Sequence, residues 1–156
     1  MIAINDYRQF IAELTAAAQQ RAGVTVDKIR LAVTESQLVS LLKDQAGIVV
    51  AGNIPGFEIS NNGFFLSTGE SILYVLEKTP DDRQGTDWEY GEYARMQQLM
   101  GAIVRLLTGE DLQELCDKGE TDLSRPIVVE WEYNTFGGFN GLSVSFRLKD
   151  RNGTGL

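Results

Sequence analysis

The chain has 156 residues, 43% of them hydrophobic, which suits one domain with a real core over 1–156, its last residues 150–156 forming a flexible tail. With 22 acidic against 14 basic residues the formal charge is -8, and the Lys and Arg are scattered, which opposes both polyphosphate wrapping and adhesion to an anionic membrane. There is no histidine and one cysteine, Cys116, which excludes an internal disulfide, a thiolate zinc site and the commonest general base.

Asn5 and Asp6 are placed to cap a first helix in which Tyr7, Phe10, Ile11, Leu14 and Ala17 recur at helical spacing, until Gly23 offers a left-handed stop. Ile29, Leu31 and Val33 then alternate with Arg30 and Ala32, predicting a short strand. Thr34 with Gln37 reads as a capping box for a helix carrying Leu38, Leu41 and Leu42 and ending near Gly47. Ile48 to Ala51 is a brief apolar run that Gly52, Asn53, Pro55 and Gly56 break. Phe57 to Ser60 and Phe64 to Ser67 flank Asn61-Asn62-Gly63, a tight-turn signature, and predict a hairpin. Ser71 to Lys78 is apolar on both faces and therefore predicts a central strand covered by a helix on at least one side. Residues 80–85 are a polar turn, and Thr86 with Glu89 predicts a second capping box opening the longest helix, to about Leu107, with Tyr93, Met96, Leu99, Met100, Ile103, Leu106 and Leu107 buried. A short acidic helix over Glu110 to Lys118 follows Gly109.

Residues Ile127 to Asp150 read as two alternating strands joined by a glycine-rich loop, Thr135 to Gly141. Pairing the strands around Gly138 sets Trp131 opposite Phe146 and Glu130 opposite Arg147. Trp131 is expected in the core with Val129 and Tyr133, leaving the glutamates wet and charge-paired. The order of elements predicts an α+β domain, a mostly antiparallel sheet of about five strands packed against the N-terminal helix and one long central helix.

Chemistry is sparse. Cys116 lies beside Glu114 and Asp117, whose charge opposes thiolate formation, and reads as a small half-buried thiol. Asp81, Asp82, Asp87, Glu89 and Glu92 crowd the entry to the long helix without the alternating oxygens of a calcium loop, and favourable interaction with the helix dipole accounts for Asp87 and Glu89. A carboxylate-dependent hydrolase would draw its acid and base from Glu58, Glu77, Asp87, Glu89, Glu130 or Glu132. The glycines sit between antiparallel strands, so they cradle no phosphate, and no cofactor or metal site is predicted. Aromatic residues next to flexible backbone, Phe136 and Phe139 with Phe57, Trp88 and Tyr90, are the candidate contacts with another chain, or alternatively fold back as a lid on the core. The lone cysteine, the charges interrupting Met1 to Leu14 and the lack of a long apolar run predict a soluble intracellular chain.

The succession of Ile72-Leu73-Tyr74-Val75-Leu76-Glu77-Lys78, a polar turn, the helix from Tyr93 to Leu107 and the closing hairpin resembles the small tail-terminator or tail-completion proteins, which join head to tail in tailed phages and prophages. The resemblance covers roughly residues 1–150 and implies a non-enzymatic structural protein of a phage-like particle. It would assemble as a ring homo-oligomer at a tail or neck, through loops and strand edges, with other tail proteins as further partners. It implies no catalytic residues, no membrane, no small-molecule substrate and no sequence-specific nucleic acid, an acidic surface being suited to DNA that slides without sticking. Such a protein is cytoplasmic in the producing cell and then part of the virion. A soluble protein-binding module using the same aromatic loops is the alternative.

Overall fold

The computed structural model describes residues 2–59, 66–109 and 120–149. Helix α1 runs Ile4–Ala22 and ends as its sequence requires, with Gly23 in the left-handed region at φ 64° and its N–H on the Gln19 carbonyl at 2.9 Å. Its start differs from expectation. Ala3 is the N-cap and no side chain caps it, because the helix begins a residue early and takes Asn5 and Asp6 into its first turn.

Strand β1 (Lys28–Ala32), helix α2 (Glu35–Leu42) and strand β2 (Val49–Asn53) form a crossover, so β1 and β2 pair in parallel. The predicted cap is present: Thr34 Oγ1 accepts from the Gln37 N–H at 3.2 Å, and Gln37 Oε1 accepts from the Val33 N–H at 2.9 Å. Asn53, expected to break structure, instead ends β2 by imitating a strand. Its amide accepts from the Ile72 N–H at 2.7 Å and donates to the Glu70 carbonyl at 2.9 Å. The short strands β3 (Phe57–Ile59) and β4 (Leu66–Thr68) pair as the predicted hairpin, whose Asn61-Asn62-Gly63 turn lies outside the described residues.

Strand β5 (Glu70–Lys78) is central, antiparallel to β2 on one side and to β7 (Phe139–Arg147) on the other, and β6 (Val128–Thr135) is antiparallel to β7. The sheet order is β1-β2-β5-β7-β6, mostly antiparallel, as the α+β reading requires. Helix α1 and the long helix α3 (Asp87–Thr108) cover one face, burying the predicted stripe of Met96, Leu99, Met100, Ile103, Leu106 and Leu107 against Val50, Leu73, Val75, Leu142 and Val144. Helix α2 covers the other through Leu38 and Leu42, which meet Ala32, Val49, Ala51, Leu76 and Phe139. Leu41, assigned to that face from sequence, is 38% exposed.

The final hairpin departs from its expected register by four residues. Trp131 faces Leu142, not Phe146, and Glu130 faces Ser143, not Arg147. The turn is Phe136-Gly137-Gly138, and a bulge between Glu132 and Thr135 places Asn134 at φ 50° and Phe136 at φ 48°. Asn140 secures it, accepting from the Asn134 N–H at 2.8 Å and donating to Thr79 Oγ1 at 3.0 Å. Phe139, Asn140 and Gly141, expected in a loop, are therefore strand residues. Arg147, released from Glu130, pairs with Glu58 at 3.2 Å.

Candidate functional site

In the sheet order β6 is outermost, and α3 packs over β5 and β7 without reaching past it. Its apolar side therefore remains open: Trp131 is 56% and Tyr133 75% exposed, with Val129 also exposed. Burial of Trp131, expected from sequence, does not occur. Alternation gives a strand two faces and says nothing of whether a neighbour covers either.

Between β6 and the head of α3 lies a groove of about 510 Å³ lined by Tyr90, Tyr93, Ala94, Gln97, Trp131, Glu132 and Tyr133. The Tyr93 ring sits 5.7 Å from that of Trp131 and 6.3 Å from that of Tyr90, so three aromatic side chains form one continuous wall. Glu89 fixes that wall. It is buried, its Oε1 accepts from the Tyr93 hydroxyl at 2.7 Å and its Oε2 from the Gly85 N–H at 3.1 Å. The predicted capping box does not form: Glu89 reaches Gly85 rather than the Thr86 N–H, which bonds the Arg83 carbonyl at 3.3 Å, and the Thr86 hydroxyl donates to that same carbonyl at 2.6 Å and makes no cap. Burial first, then the Glu89 carboxylate, pushes the Tyr93 hydroxyl up to about 12, so it remains a donor.

Of the five aromatic residues singled out from sequence, only Tyr90 enters this groove. Phe57 is 52% exposed on β3, in the separate two-stranded sheet. Trp88 is half-buried beneath the Arg83 guanidinium, 5.9 Å from its ring. Phe136 folds back edge-to-face on Tyr74, with centroids 4.9 Å apart, and Phe139 is 1% exposed in the core; neither projects as a hairpin-tip contact. The spacing of Tyr93, Trp131 and Tyr133 predicts core positions, but all three line the groove. The one sequence signal against it was Glu130 and Glu132 between them, since charge on alternate positions is how edge strands discourage indiscriminate pairing.

The carboxylates disperse. Glu58 is held below the usual carboxylate range by its hydrogen bonds from Arg147. Glu132 accepts from Ser143 Oγ at 2.8 Å, while Glu130 is exposed. Asp81, Asp82 and Asp87 are exposed, and no three His, Cys, Asp or Glu side chains converge on a point among the described residues. Cys116 and the acidic segment from Glu110 to Lys118 lie outside the described residues. No helix among those described is long and apolar enough to cross a membrane.

Glu77 and Glu92 are the exception to this dispersal. Burial, then the Glu92 carboxylate beside it, pushes the Glu77 carboxyl up to about 8. Glu77 Oε2 is buried with no hydrogen-bond partner among the described residues, which favours the uncharged carboxyl. The Glu77 carboxyl beside it and Arg95 Nη1, 2.9 Å from Glu92 Oε1, lower the titration of Glu92. Because folded Glu77 titrates above its ordinary value of 4.5, the folded chain binds more protons than the unfolded one; its contribution is full below about 4.5 and lost as pH rises through about 8. Glu77 is only half-buried, so screening reduces the effect to about 1–2 kcal/mol. Glu77→Gln should therefore flatten the pH dependence of urea unfolding between pH 5 and 8 and be more stable than the parent at pH 9; equal slopes in the two proteins would overturn the raised Glu77 titration.

Comparison with protein-family models, curated proteins and solved structures finds no match to this chain.

Proposed function

We propose that this chain is a self-associating structural subunit, of the kind that forms a ring at the tail or neck of a phage-like particle, and that it performs no catalysis. The observation that carries the proposal is the open aromatic side of an edge strand: Trp131 and Tyr133 with Tyr90 present apolar surface that gains stability only when another chain covers it. Unpaired strand edges provide the complementary main-chain groups. The resemblance in order of elements supplies the phage-like context, and the -8 charge suits a passage for DNA. Against a hydrolase stands the use of the carboxylates: Glu58 pairs with Arg147 and Glu92 with Arg95.

Light scattering during size-exclusion should find a defined oligomer that grows in with concentration. Trp131→Ser with Tyr133→Ser should be monomeric yet folded. Both side chains are largely exposed, so the pair should lose only about 1–2 kcal/mol, about 3–8 °C in Tm. A parent chain that stays monomeric at millimolar concentration would overturn the self-assembly reading and favour a binding module that uses the same groove for a different protein.

A further inference from the structure

Resting on that reading, we infer that the surface which covers β6 is the opposite sheet edge, β1, of a second copy, so that the sheet continues head to tail from subunit to subunit. The two edges match in direction, in charge and in apolar pattern. Strand β1 runs parallel to β2, and each later step across the sheet is antiparallel, so β6 points opposite to β1. A second copy added beyond β6 in the same orientation thus presents its β1 antiparallel to β6. Such a contact is heterologous, and it closes into a ring if the rotation per subunit divides a full turn.

The faces also agree. Lys28, Arg30 and Ala32 lie on the α2 side with Val49 and Ala51, and Glu130 and Glu132 lie on that same side, opposite Ser143 and Gly141. Ile29 and Leu31 lie on the α1/α3 side, as do Val129 and Trp131. A single antiparallel register satisfies every position at once: Arg30 opposite Glu130, Lys28 opposite Glu132, Ile29 opposite Trp131 and Leu31 opposite Val129. Opposite charges meet on one face and apolar side chains on the other. Pairing β6 with another β6 about its charged stretch is disfavoured by the same rule, because a twofold centred on Glu130, Trp131 or Glu132 sets glutamate against glutamate. The acidic edge thereby excludes its own copy and selects the basic one.

The test exchanges charges across the predicted contact. Arg30→Glu and Glu130→Arg, each alone, should weaken self-association about tenfold or more, with each monomer's melting curve close to the parent's. Mixing the two variants should restore assembly, and so should combining both changes in one chain. As a check that does not depend on charge, Arg30→Cys with Glu130→Cys in a Cys116→Ser background should give a ladder of disulfide-linked oligomers on oxidation, because directly opposed strand residues lie within disulfide reach. If both single reversals assemble like the parent while Trp131→Ser with Tyr133→Ser dissociates, the edge pairing falls and self-assembly through the groove stands. If the parent itself is monomeric, both fall.

Discussion

Gly141→Ala should cost about 3 kcal/mol or more in urea unfolding, the largest loss expected of any change this small. Gly141 is the third residue of β7, between Leu76 of β5 and Glu132 of β6, with φ at 156°. A Cβ there would overlap the carbonyl oxygen of Val75 and stand 3.0 Å from its carbonyl carbon and 3.2 Å from Leu76 Cα. Backbone, not a pliant side chain, is in the way, so the two central strands would have to separate. Gly137 supplies the control: it lies in the turn at φ 90° with open space about it, so Gly137→Ala carries only the backbone cost of about 1 kcal/mol. If the two variants unfold at the same urea concentration, β5 and β7 do not approach each other as closely as their pairing demands.

The stripe from Met96 to Leu107 and the two-sided apolarity of Ile72 to Leu76 are local periodicities, and both elements fold as their periods dictate. The Thr34–Gln37 cap is local too. The register of the last hairpin is not, because it depends on where the turn falls. Three glycines draw the expected turn to Gly138, whereas positive φ falls on Asn134, whose type tolerates it, and on Phe136, whose type gives no sign of it. The place of β6 in the sheet was equally hidden. Val129, Trp131 and Tyr133 alternate as a core strand does, and only the order β1-β2-β5-β7-β6, set by contacts remote in sequence, leaves them at an edge. This open aromatic face escapes sequence reading because it is patterned as a core that its own chain leaves uncovered.

The second face of the sheet rests on a smaller cluster, and there Phe139→Ala should lose about 3–5 kcal/mol. Phe139 is fully enclosed with Leu38 and Leu42 of α2, Ala32, Val49, Ala51 and Leu76, and α2 has only eight residues. A helix so short is not stable alone in water, so it depends on this packing. Removing the ring opens a cavity beneath α2 that Leu38 and Leu42 cannot fill from a fixed backbone. Hydrogen exchange should accordingly accelerate across Glu35–Leu42 before it does across Asp87–Thr108, whose core lies on the other face. Phe136→Ala, which removes one edge-to-face contact with Tyr74 at a half-buried site, should lose less, about 1–2 kcal/mol. Should Phe139→Ala instead melt within a degree of the parent with α2 still protected, the ring projects from the hairpin and is free to meet another chain, and the cluster beneath α2 is held by the leucines alone.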